Sequence, residues 1–286
     1  MMSAKKGDKI HLRAATYLSP SIPIEYYEML LQYLEEKLGI YTSLLYESRW
    51  EGPHPDRPDP FANNDIDLAW MSSTVYLRLL KSGNKNIELL PISSVHHHRK
   101  GEDCPGYFAE VVMHRDLKDK IKEFIDLRGC KWAYNSSESL SGHIMTLQKL
   151  KELGENASFF GNILHSGSHL ECLKMVLNKK VDAAAVDSNC FALYMDKHLE
   201  ARKEAVVLES WGMLTPYPFV VNACMPNNLK KQIVDILLHM HQDVEGAKKL
   251  AEFRVKRFAK ICQTDFENEQ QLIEDTKNLS LGSVYY

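Results

Sequence analysis

The sequence of 286 residues contains no uninterrupted apolar run of the roughly 20 residues needed to cross a bilayer, so no membrane segment is expected. No apolar stretch follows the charged start Met1-Met2-Ser3-Ala4-Lys5-Lys6-Gly7-Asp8-Lys9, so a secretory signal is not expected either, and the reading is cytoplasmic. The six cysteines, at 104, 130, 172, 190, 224 and 262, form no CxxC pair. That spacing excludes a zinc ribbon or redox dithiol and suits idle thiols in a reducing compartment. There is no basic excess: the formal net charge is −3, and the cations of 248–260 stand among acids. Nucleic-acid binding through a charged face is thereby excluded. Three Asn-x-Ser sequons, beginning at Asn135, Asn156 and Asn278, read as chance matches in the absence of a signal.

What is present is ordinary globular material, 44% hydrophobic and 26% charged, enough for one large or two smaller cores. Lys9 to Tyr17 alternates as a strand, Glu25 to Leu38 repeats as a helix stopped by Gly39, and Tyr41 to Tyr46 is a second strand. Prolines at 53, 55, 58 and 60 forbid a helix and predict an extended surface loop. Asp67 to Met71 is a short strand, and Ser72-Ser73-Thr74 supplies capping hydroxyls to a helix reaching about Leu80. Strands at 107–114, 129–134 and 181–186 then alternate with helices at 118–127, 142–153, 170–178 and 188–198. Residues 228–260 read as mostly helix with a break near Gly246. The alternation predicts an α/β protein of parallel sheets covered by helices.

The segment Asn135-Ser136-Ser137-Glu138-Ser139-Leu140-Ser141-Gly142 joins a predicted strand to a predicted helix. Free N–H groups and the positive end of the helix dipole collect there, and Ser139, Ser141 and Gly142 could present donors to one anion. Plain helix capping explains the same serines. A second junction, Ser166-Gly167-Ser168-His169, adds an imidazole, and in open parallel sheets such junctions share one edge. Tyr17, Trp70, Tyr76 and Trp211 fit either core packing or a cleft wall. His96-His97-His98 alternates faces on an extended segment, so solvated loop histidines are expected rather than metal ligands.

In the order and spacing of Asp67-Leu68-Ala69-Trp70, Pro105-Gly106-Tyr107-Phe108, Asp126-Leu127-Arg128-Gly129, Ser139-Leu140-Ser141-Gly142, Ser166-Gly167-Ser168-His169 and 181–188, the sequence resembles a known family. It is that of the phosphonate-binding periplasmic proteins of bacterial ABC transporters, and the resemblance runs from about Lys9 to about Glu267. It implies the type II periplasmic-binding-protein fold: two α/β lobes, hinge strands and a ligand cleft, with 1–104 plus 213–286 as lobe 1 and 105–212 as lobe 2. It also implies that phosphonate oxygens are held by Ser139, Ser141, Gly142, His169 and Tyr107. Asp187, Ser73, Thr74 and Tyr17 complete the expected ligand set, and Trp50 stands nearest to a further pocket Tyr of the family.

The chain departs from the family at Leu140, where a hydroxyl is missing. Asn189 and Tyr217 stand where members that bind aminoethylphosphonate carry acids, which argues against an amine-bearing ligand unless Asp187 substitutes. The expected function is binding or sensing of a small phosphonate- or phosphate-like anion. No cofactor or metal is expected, and an ABC transporter partner is not expected without a signal. An enzyme resembling thiamine-pyrimidine synthases, with His169 and Asp187 as acid and base, and a partner-binding module with an idle cleft are the alternatives.

Overall fold

The computed structural model describes residues 10–281. Lys9, the expected start of the first strand, lies outside them. The chain opens with β1 (His11–Thr16), α1 (Ile24–Leu38) and β2 (Tyr41–Tyr46), then β3 (Leu68–Trp70), α2 (Ser73–Lys81), β4 (Ile87–Leu90) and β5 (Ile92–His96). The middle holds β6 (Tyr107–His114), β7 (Lys131–Tyr134), α3 (Met145–Glu152), β8 (Asn162–His165), α4 (His169–Leu177), β9 (Ala183–Asp187) and α5 (Ser188–Lys197). The short α6 (Ala201–Glu204) leads into β10 (Ala205–Leu214), which is followed by β11 (Phe219–Asn222) and α7 (Asn227–His239). The described chain ends with α8 (Val244–Ala251), β12 (Val255–Lys260) and α9 (Glu267–Thr276).

The strands form two five-stranded sheets, β2-β1-β3-β11-β4 and β10-β6-β9-β7-β8, and a small β12-β5 pair. In the first sheet β1 runs parallel to β2 and β3, while β11 enters antiparallel. In the second, β7 runs parallel to β8 and β9, and β6 is antiparallel to β9 and β10. Each sheet is covered on both faces, so alternate residues feed different cores. Leu68, Trp70, Phe219 and Val221 pack under α1 and α7, whereas Ala69 and Val220 pack under α2. Val111, Trp132 and Ala185 belong to the core beside α3, and Val112, Ala133, Ala184 and Val186 to the one beside α4. The chain passes between the two sheets through 97–106 and again through 215–218. Helix α9 touches both halves, Ile273 packing in the first and Leu272 in the second, with Phe266 before it and Leu279 after it doing the same.

Several expectations are corrected. Residues 118–127 form no α-helix; short 3-10 turns occupy Arg115–Leu117 and Phe124–Leu127, the second closed by Asp126 accepting the amides of Lys122 and Glu123. The break in the C-terminal region falls at 240–243, where Asp243 caps α8, and not at Gly246. Val255–Lys260 is a strand paired with β5, because its apolar Val255 and Phe258 complete the core that α7 and α8 leave open. The proline segment is not wholly a surface loop: Gly52 and Pro53 are buried against α2. His96 is buried in β5 and His98 bonds Glu110 at 2.8 Å, so only His97 is solvated. Trp70 and Tyr76 are core residues at 1% exposure, and Trp211 is buried too, while Tyr17 reaches the cleft.

Gly246 sits in α8 where a Cβ would lie 2.2 Å from the Met240 carbonyl oxygen, a backbone atom that cannot step aside. Gly246→Ala is expected to cost about 1–3 kcal/mol in chemical denaturation despite alanine's higher helix propensity. An unchanged or raised midpoint would contradict this packing.

Candidate functional site

A cavity of 390 Å³ lies between the two sheets, at the ends of β1, β3, β7 and β9 where their connections open. One wall is the turn that follows β7. Ser139 caps it, its hydroxyl accepting the Gly142 amide at 3.2 Å, and Leu140–Ile144 forms a single π-helical turn that runs on into α3. The chain from 140 to 152 is thus one continuous helix whose first turn is wide and ends at the cavity. Such a start gathers backbone N–H groups and the positive end of the dipole. Ser136, Ser137, Glu138, Ser139 and Leu140 line the space.

His169, first residue of α4, is 6% exposed and brings Nε2 to 3.2 Å from both the Ser139 and Ser141 hydroxyls. Burial lowers its pKa to about 3, so the ring is neutral. Whichever nitrogen then carries the proton, the two hydroxyls can rotate to match it. The backbone N–H of His169 donates to Ser21 at 3.0 Å, which ties the second half to the first. Tyr107 stacks on Tyr217 at 4.7 Å between ring centroids, lines the cavity and bonds Ser141.

Asp187 caps α5, accepting the amides of Asn189 at 2.7 Å and Cys190 at 3.1 Å, and takes the Tyr217 hydroxyl on its other oxygen. Its carboxylate is therefore committed to these groups rather than to the imidazole; His169 Nδ1 accepts the Asp187 amide, and the ring also bonds the Ala185 backbone. Burial pushes Asp187 up to about 6, against the pull of Tyr217 and the two amides.

The remaining expected residues divide. Ser139, His169, Tyr107, Asp187, Ser73 and Tyr17 line the cavity. Ser141 and Gly142 stand one layer behind it, Ser141 holding His169 and Gly142 leaving room for Asn135. Thr74 is turned away, and its hydroxyl and that of Ser73 donate to Glu269 of α9 at 2.8 and 2.9 Å. Glu269 is fully buried, which raises its carboxyl to about 7. The first turn of α2 thus already holds an anion from its own chain.

Glu51 went unread in the sequence. It opens the proline segment and lines the cavity, accepting the Asn135 carboxamide at 2.9 Å. Burial, then the charges of Glu138 and Asp187, raise it to about 7. Trp50 stands beside it, its ring 4.1 Å from that of His54, and both line the same wall. Asn189 and Tyr217 do replace two acids, but Glu51 and Asp187 put two carboxyls into the cavity from other positions. Its cation Arg49 is paired with Glu47, so acids outnumber free positive charge on the wall. Among the described residues no group of three or more His, Cys, Asp or Glu gathers to hold a metal, and no helix is long and apolar enough to cross a membrane.

Two α/β sheets facing each other across a cleft, with a helix start and a histidine on one wall, define a type II solute-binding protein. The model of the ABC transporter, phosphonate, periplasmic substrate-binding protein family matches residues 14–266, and the chain belongs to that family. A binding protein component of an ABC phosphonate transporter from Pseudomonas aeruginosa is similar over 94% of this chain and 87% of its own, with a TM-score of 0.76 and 16% identity. PhnD1 from Prochlorococcus marinus, in complex with methylphosphonate, is similar over 94% and 99%, with a TM-score of 0.72 and 14% identity. The periplasmic aliphatic sulphonate binding protein SsuA from Escherichia coli covers 95% and 94%, with a TM-score of 0.63 and 14% identity. At these identities the shared property is the fold. The cytoplasmic expectation finds no support, since the family is described as periplasmic.

Two outcomes follow from this geometry. A Cβ on Gly142 would fall 2.0 Å from Asn135 Oδ1 and 3.0 Å from His169 Cε1. Gly142→Ala is expected to destabilise the fold by about 1–3 kcal/mol and to weaken ligand binding together with it, read by denaturation and calorimetry. The buried acids give the second. Because Glu51 and Asp187 bind protons more tightly folded than unfolded, stability is greatest below about pH 4.5 on their account and falls as pH rises to 7. Glu51→Gln keeps an acceptor for Asn135, so its melting temperature is expected to vary less across that window and to exceed the parent's at pH 8. Parallel curves for the two proteins would refute the assignment.

Proposed function

We propose that the chain is a receptor that closes around a small ligand bearing a phosphonate- or phosphate-like head, with its two lobes formed, within the described residues of 1–104 plus 213–286 and of 105–212, by 10–104 plus 213–281 and by 105–212. The reading is carried by one observation: His169 Nε2 is 3.2 Å from two serine hydroxyls at a helix start that faces the cleft. Neutral donors of this kind, with the helix N-terminus behind them, hold an anion without a fixed cation. Ser139, His169 and Tyr107 take the oxygens, while Ser141, one layer behind, positions His169, and Gly142 leaves room for Asn135. Methylphosphonate in the similar Prochlorococcus protein and sulphonate in the name of the Escherichia coli one agree with that head-group chemistry.

The opposite wall sets the rest of the ligand. Glu51 and Asp187 lie in the same cavity, and an anion alone would have to share it with two carboxyls. A cationic or hydrogen-bond-donating tail relieves that conflict, because Glu51, bonded through its side chain to Asn135, gains a further partner and the ligand's net charge falls. A zwitterion such as 2-aminoethylphosphonate fits better than phosphate. Delivery to an ABC transporter is the family's usual context and forms part of this reading.

Thermal shift at pH 7.5 with phosphate, methylphosphonate, 2-aminoethylphosphonate and pyridoxal phosphate tests it, since a ligand of the folded state raises its melting temperature. The expected order places 2-aminoethylphosphonate first. Ser139→Ala and His169→Ala should each cost roughly tenfold or more in affinity, the equivalent of about 1.4 kcal/mol or more for each lost contact. Silence with all four compounds would end the proposal, and a visible absorbance band with pyridoxal phosphate would favour an enzyme.

A further inference from the structure

We propose that Arg78 is a staple across the cleft, binding at once the loop that carries Glu51 and the turn that carries Ser139. This rests on the reading of the cleft as a ligand site. Arg78 lies on α2, whose Val75, Tyr76, Leu77 and Leu79 are buried in the first half, so the base of its side chain is fixed. Its Nε donates to Glu138 Oε1 at 2.7 Å and its Nη2 to the Pro53 carbonyl at 3.0 Å. Glu138 leaves β7 of the second sheet and immediately precedes Ser139; Pro53 stands two residues after Glu51. One planar guanidinium therefore joins both lips of the cavity, a geometry that a lysine ammonium does not reproduce.

Neighbouring bonds run the same way. Ser72 donates its hydroxyl to the Glu138 carbonyl at 3.1 Å and its amide to the Glu51 carbonyl at 2.8 Å, and Asn135 reaches Glu51 at 2.9 Å. The ion pair is the charged member of this set, and it also cancels a carboxylate beside the turn assigned to the anion. Its partners are 32% and 31% exposed, so water screens it. A bond of that moderate strength can hold a closed cleft and still yield when the ligand must leave.

The test uses the full chain with Arg78→Gln, Glu138→Gln, the double variant and Arg78→Lys. In the ligand-free proteins, amide hydrogen exchange is measured over 50–56 and 136–142. Exchange is expected to quicken in both segments in Arg78→Gln and over 136–142 in Glu138→Gln, the double being no faster than Arg78→Gln over 136–142 because the two residues share one bond there. With 2-aminoethylphosphonate as probe, dissociation from Arg78→Gln should accelerate about fivefold while association stays nearly constant, and Arg78→Lys should recover only part of this. Unchanged exchange in Arg78→Gln, or effects that simply add in the double variant, would overturn the staple, even if dissociation rose through charge alone. Should no phosphonate bind the parent protein, the exchange data still decide the staple, and the cleft reading fails separately.

Discussion

A neutral imidazole held between two serine hydroxyls, at the point where a helix begins, is the contact on which this molecule's cleft depends. It requires Ser139 and Ser141 from one strand-to-helix connection and His169 from another. Only a sheet that sets β7 and β8 side by side, as this one does, can bring their following segments together. Burial keeps the ring neutral, so the cluster offers hydrogen bonds in place of charge. That choice suits a receptor, because a fixed cation sealed against the ligand would hold any anion too generally to select among them.

The acids opposite are the second half of the same design. Glu51 and Asp187 sit in a cavity assigned to an anion, and their proton affinity is raised by that enclosure. Two such groups are a liability in an empty cleft and an asset around a ligand that carries its own positive end. Glu269 shows the same principle applied internally: α9 supplies a buried carboxylate to the hydroxyls of Ser73 and Thr74, filling a helix start that would otherwise attract an anion from solution. Of the hydroxyl-rich starts of α2 and of the helix that runs on into α3, the protein's own chain occupies the one at α2.

Cross-cleft bonding gives these parts a common state. His169 to Ser21, Asn135 to Glu51 and Arg78 to Glu138 each join a residue of one half to a residue of the other. None is strong alone. Together they hold the walls in register, so that hydroxyls, imidazole and carboxyls face one enclosed volume rather than two open surfaces.

By itself the sequence determined the alternation of strands and helices and the serine and histidine junctions, because these depend on short-range pattern: apolar period, capping residues, and glycine at the helix stop after Leu38; the family fold was legible only as a resemblance, through the order and spacing of separate segments. Its errors came where local pattern and tertiary demand part. Residues 118–127 have helical spacing but form one short 3-10 turn closed by Asp126, and Val255–Lys260 became a strand because β5 needed a partner. The fate of Ser73 and Thr74 was decided by Glu269, nearly 200 residues away, and the presence of Glu51 in the cavity by a loop packed on α2. Charge pairing and enclosure are made by groups distant in the chain, and only the assembled structure brings them within reach of one another.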